Sequence, residues 1–110
     1  MEMYASFQKE MYGRETMCNE HGFITYKCFE DMSLYIHSIY VKENRRDLHI
    51  GKNMVDGLVE ITKCTKIYSY VDLTTNNPEL SIKAHLGYGF KIHKTAQETI
   101  SFVKEIIPNV

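Results

Sequence analysis

The stretch Lys42-Glu43-Asn44-Arg45-Arg46-Asp47-Leu48-His49-Ile50-Gly51-Lys52 lies between an apolar run and a segment of helical periodicity. That order suits phosphate binding. The first N–H groups of a helix lack intrahelical acceptors, the dipole favours negative charge there, and Arg45, Arg46 and Lys52 add positive charge. The loop matches neither GxxxxGK[ST] nor GxGxxG, because Gly51-Lys52 stands without an earlier glycine. Taken alone, the segment reads as readily as a solvated basic loop capping a helix. Metal chemistry is not expected: His21 and Cys18, with His93 elsewhere, have no recognised ligand spacing. Cys18, Cys28 and Cys64 are an odd number without a CxxC pair, so buried or half-buried free thiols are expected rather than a disulfide framework.

The elements that must position this loop follow from periodicity. Met3, Tyr4, Phe7 and Met11 at helical spacing predict an amphipathic helix over about residues 2 to 13, with Gly13 able to end it. The run from Phe23 to Phe29 is aromatic and β-branched and reads as a strand. Ser33 to Val41, nearly continuous in apolar character, reads as a central strand covered on both faces. Together they form a hairpin. Ile50, Met54, Val55, Leu58, Val59 and Ile61 give a helix over about residues 49 to 63, and residues 67 to 73 give a further strand, so a parallel crossover is implied. Asn77-Pro78-Glu79 starts a short helix, Asn77 as its cap, with Gly87 as its left-handed stop; residues 89 to 94 alternate as a strand. The tail is two-sided: Thr95-Ala96-Gln97-Glu98 has capping-box form, whereas Ile100-Ser101-Phe102-Val103 suits a strand.

With 110 residues, the chain is expected to be one domain over residues 1–110, burying roughly 65% of its unfolded surface around a single core. A formal net charge of −1 offers no general attraction for nucleic acid or anionic lipid. No apolar run approaches the ~18 residues of a membrane span, and Met1-Glu2-Met3-Tyr4 lacks the features of a secretory signal, so a cytoplasmic protein is expected.

Residues 39 to 52 also resemble the acyl-CoA-binding motif of the GNAT N-acetyltransferase superfamily, in which a strand runs into an Arg/Gln-x-x-Gly-x-Gly/Ala loop and a helix. Arg46 matches the first position, His49 the first glycine and Gly51 the second. Asn77, followed by Ala84-His85-Leu86-Gly87-Tyr88-Gly89-Phe90, resembles the family's Asn turn, short helix and closing Gly-Phe. The resemblance implies an α/β (α+β) fold with a mixed, mostly antiparallel twisted sheet, a central parallel strand pair splayed for CoA, and about three flanking helices. It also implies a closing antiparallel strand pair, which favours a strand for the tail.

The same resemblance implies acetyl-CoA as co-substrate. Its diphosphate would rest between Arg46 and Lys52 (Arg46, Asp47, Leu48, His49, Ile50, Gly51, Lys52), with Asn77 nearby, and its pantetheine arm would lie along Ile39, Tyr40 and Val41. The family's thiolate-protonating tyrosine is His85 here, with Tyr88 a second candidate; His37 and Asp72, on the strands flanking the thioester, are candidate bases. Glu30 is close in the hairpin. The implied reaction is acetyl transfer to a primary amine of a small-molecule or protein acceptor, without nucleic acid or membrane. The alternative is a catalytically degenerate member serving as a protein-binding or assembly module. Because the chain is short ahead of the hairpin, a homodimer that completes the acceptor cleft is expected.

Overall fold

A computed structural model describes residues 2–42 and 49–106. It opens with helix α1 (Glu2–Tyr12), closed by a bond from the Gly13 N–H to the Lys9 carbonyl at 3.0 Å with Gly13 at φ +67°. Strand β1 (Glu15–Cys18) follows, then a tight turn in which Asn19 Oδ1 accepts from the His21 and Gly22 N–H groups. Gly22 is needed there, because a Cβ would fall 1.9 Å from the Tyr40 carbonyl oxygen. Sequence periodicity missed β1: four residues are too few to establish an alternation.

Strands β2 (Gly22–Cys28) and β3 (Ser33–Val41) form the expected hairpin, whose turn is fixed by the Asp31 carboxylate accepting from the Ser33 N–H at 3.0 Å. Helix α2 (Ile50–Thr62) carries the chain to β4 (Lys66–Asp72), which lies parallel to β3. Helix α3 (Pro78–Gly87) precedes β5 (Lys91–Thr95) and β6 (Thr99–Glu105); the tail is a strand. The sheet order is β1-β2-β3-β4-β6-β5, with β3–β4 its parallel pair.

One face of this sheet carries the core. Ile24, Leu34, Ile36, Ile67, Val71 and Phe102 pack there against Met54, Val55 and Leu58 of α2, and α3 seats on β4 of the same face through His85 and Ser69. Their near-complete burial stabilises by about 1.5–3 kcal/mol per large side chain. Helix α1 covers part of the other face, with the Tyr4 ring 5.3 Å from that of Phe23.

Several expectations need correcting. The apolar stripe of α1 faces the sheet only in part: Tyr4 is half-buried against Phe23, but Met3 is 87% exposed, Phe7 and Met11 are exposed too, and the helix buries Gln8, at 6%. Gln8 is held by Arg14, whose Nη1 donates to Gln8 Oε1 at 3.2 Å and whose backbone N–H bonds the Gln8 carbonyl. This anchor just past the Gly13 turn fixes which side of the helix looks inward. Strand β3 is covered fully on one face only, leaving Tyr35 and Tyr40 exposed on the other, because α1 packs chiefly on β1. The left-handed glycine after α3 is Gly89 (φ +93°), since Gly87 is still helical. Asn77 holds the cap position at φ 57° but makes no side-chain cap bond. Cys64 is buried, whereas Cys18 and Cys28 are exposed; all three are free thiols.

Candidate functional site

Strands β3 and β4 share only three rungs, Ser33↔Lys66, Leu34↔Ile67 and Tyr35↔Tyr68. A bulge lies just beyond. Tyr26 pairs with Ile36 and Thr25 with Ser38, so His37 is the additional residue on β3. A bulge bends its strand and sharpens its twist, and from Ile36 onward β3 makes no rung with β4 among the described residues. The two strands part as a fork. Beside it lies a cavity of about 620 Å³, lined by Ile39, Tyr40 and Val41 of β3 and by Asn77, Ser81, Ala84, His85 and Tyr88 of α3 and its flanks.

The start of α2 lies at the other end of this arrangement. Arg46, Asp47 and Leu48, together with Arg45, fall outside the described residues. His49 stands at the helix cap with φ 56° and ψ 23°, a left-handed conformation that costs most side chains about 1–2 kcal/mol. The substituted residue therefore adopts the backbone geometry that glycine provides freely. Gly51 is buried against Tyr88: a Cβ at Gly51 would lie 2.0 Å from Tyr88 Oη. The Tyr88 phenol thus reaches the first turn of α2. Ile50 is half-buried, and Lys52 pairs with Asp56 at 3.1 Å.

The candidate proton-transfer groups divide between two faces of the sheet. His85 is buried, its ring stacked on Phe102 with 4.6 Å between centroids. Its Nδ1 lies 2.7 Å from the Ser81 carbonyl, which can only accept, so Nδ1 carries the proton. Nε2, 2.8 Å from Ser69 Oγ, then accepts the serine hydroxyl. Burial depresses the imidazole's pKa, although the Ser81 bond opposes this. His85 is thus neutral with both nitrogens engaged. His37 stands at the bulge on the opposite, α1-bearing face, its ring 6.3 Å from that of Tyr70. Partial burial, and then the charge of Arg14, lower its pKa below the usual histidine value. Asp72 ends β4, where its carboxylate accepts from the Thr74 N–H and hydroxyl, bonds that keep its pKa low.

The fold therefore gathers Ile39, Tyr40, Val41, Asn77, His85 and Tyr88 around one cavity, and Tyr88 reaches from it to Gly51. His37 borders the fork from the far side, and Asp72 belongs to a turn. Sequence reading missed Ser69 and Ser81, the partners of His85. The available signals were the inward alternation Ile67, Ser69, Val71 and the four-residue spacing from Ser81 to His85. Among the described residues, no three His, Cys, Asp or Glu side chains group as metal ligands, and no helix is long and apolar enough to cross a membrane.

A six-stranded, mostly antiparallel sheet forked at its parallel pair and flanked by three helices is the GNAT acetyltransferase fold. Among solved structures, PaiA N-acetyltransferase from Thermoplasma acidophilum in complex with coenzyme A superposes at TM-score 0.68 with 20% identity, over 78% of this chain and 54% of that one. A Bacillus subtilis acetyltransferase in complex with CoA gives TM-score 0.65 and 15% identity, over 93% and 83%. A GNAT-family chain from Desulfovibrio desulfuricans reaches 0.72 at 11% identity, over 93% and 77%. This chain therefore spans little more than half the length of the Thermoplasma protein. No protein-family model and no curated protein sequence matches it.

Proposed function

We propose that the chain is an acyl-CoA-dependent N-acetyltransferase that moves an acetyl group from acetyl-CoA to a primary amine. The carrying observation is the fork, opened by the bulge at His37 and bordered by a cavity of about 620 Å³. Two of the superposing proteins were crystallised with CoA. The fit is reasonable residue by residue. The main chain of Ile39 to Val41 borders the cavity as a strand able to pair with an extended pantetheine amide, and the first turn of α2, whose cap residue makes no side-chain cap bond, offers its N–H groups to a diphosphate. Arg46, Asp47, Leu48, His49, Ile50, Gly51 and Lys52 would form that end, with Asn77 across from it.

Acetyl-CoA supplies the thioester carbonyl as electrophile, and the protein must deliver a neutral amine to it. His37 is our candidate base, because its lowered pKa leaves the imidazole neutral near pH 7 and able to take the amine's proton. Asp72 is the weaker candidate, committed to Thr74. His85 and Tyr88 line the donor side. His85 can protonate a thiolate only after taking up a proton at Nε2, which burial opposes; a kcat for His85→Gln equal to the parent's would assign it to packing alone.

Calorimetric titration with acetyl-CoA tests the proposal. Binding below millimolar, with turnover on an amine panel that falls at least tenfold in His37→Ala, is the expected result; no binding at millimolar ligand overturns it. The engaged nitrogens of His85 and the bare stripe of α1 favour one other reading, a fold kept as an assembly module. Any His37-dependent acetylation counts against that reading. We further propose a homodimer through that stripe and, since the three thiols are unpaired, a cytoplasmic location.

A further inference from the structure

We propose that the acceptor is an amine that also carries an oxyanion, a carboxylate or a phosphate, recognised by Arg14 on the α1 face of the sheet. The inference rests on the acetyltransferase reading and follows from how the fork divides its two faces. The cavity beside α3 lies on the core face and is the donor side, so the amine must reach the fork from the opposite face. That face is built of rings: Tyr35 and Tyr70 lie 6.2 Å apart and His37 6.3 Å from Tyr70, beside the bulge where the amine would be deprotonated.

Two cations on this face carry no ion pair among the described residues. Arg14 is half-buried, donates one bond to the neutral amide of the buried Gln8, and lies 4.6 Å over the Tyr12 ring; it makes no ion pair among the described residues. Lys27, which pairs across to Tyr35, has no ion pair there either. A guanidinium with spare donors and a flanking ring is the group best matched to a carboxylate or phosphate. Partial burial first, and then the Arg14 charge, lower the His37 pKa, so the guanidinium acts on the group at the bulge. On β1 beside Arg14, Thr16 Oγ1 is buried without a hydrogen-bond partner among the described residues, and the neighbouring row continues through the bonded Thr25 and Ser38 hydroxyls. Polar groups thus run across this face from β1 through β2 to β3, with a cation that no described carboxylate pairs.

The test compares amines that differ only in the anion: L-phenylalanine against phenethylamine, and O-phosphoethanolamine against ethanolamine. Each is titrated into CoA-saturated protein, which needs no turnover. The expected result is at least tenfold tighter binding of one or both anionic members; the pair showing it tells carboxylate from phosphate. Arg14→Ala should collapse that preference and Arg14→Lys restore part of it, with circular dichroism confirming that both variants fold. Equal binding within both pairs, tighter binding of spermidine than of either anionic amine, or a preference that survives Arg14→Ala overturns the inference while leaving the acetyltransferase reading intact. Failure to bind acetyl-CoA or CoA at all overturns both.

Discussion

Burial removes His85 from water without leaving either ring nitrogen unpaired: Nδ1–H goes to Ser81, and Nε2 takes the Ser69 hydroxyl. The neutral ring is the one this environment accepts, so its pKa lies below the free value near 6.5. In the unfolded chain the same histidine protonates normally. Below pH 6.5 the unfolded state therefore binds a proton that the folded state refuses, and stability falls with pH until the folded pKa is passed. Urea denaturation between pH 7.5 and 5 should show this loss, at up to about 1.4 kcal/mol per pH unit from this group. His85→Gln should flatten that slope, and an unchanged slope would show that other groups set it. His49 poses a different residue-scale problem, since its left-handed backbone is tolerable for histidine, one of the few side chains enriched there, yet costs more than glycine would. Its identity was legible in the sequence as a departure from a glycine position, but its φ was not, because a dihedral belongs to the folded loop.

Helices α2 and α3 meet through the Tyr88 ring. Tyr88 follows α3, and its hydroxyl occupies the space that the missing side chain of Gly51 leaves in the first turn of α2. The glycine thus serves helix packing as well as any close approach of phosphate. Gly51→Ala should force the ring aside, cost about 1–3 kcal/mol in urea denaturation, and weaken CoA binding. Most of the stability loss should vanish in a Tyr88→Leu background; a loss of the same size there would place the strain elsewhere. Helix existence was easy to read for α2, whose apolar residues recur over thirteen positions. For α1 periodicity found the helix but left its inner side open, which the Gln8–Arg14 contact shows.

For the whole molecule, the exposed apolar stripe of α1 is the feature that isolated folding does not explain. Met3, Phe7 and Met11 form an exposed apolar line at four-residue spacing, and covering it with a second copy would remove that surface from water. Light scattering at high concentration should report a dimer, and Phe7→Asp should return a monomer that keeps its circular dichroism. A wild-type monomer at all concentrations would leave the stripe unexplained and remove the dimer. Sequence by itself determined the order of helices and strands apart from β1, the anion-suited loop ahead of α2, and the Asn77-to-Phe90 block, because periodicity, turn residues and cap chemistry act over a few neighbouring residues. Only the tertiary structure decided that the fork opens at His37, that Ser69 and Ser81 satisfy His85, that Tyr88 crosses to Gly51, and that Arg14 holds the buried Gln8 of α1. Those facts depend on strand register, on a one-residue bulge and on which side of a helix turns inward. They are set by contacts between residues far apart in the chain, which no local pattern records.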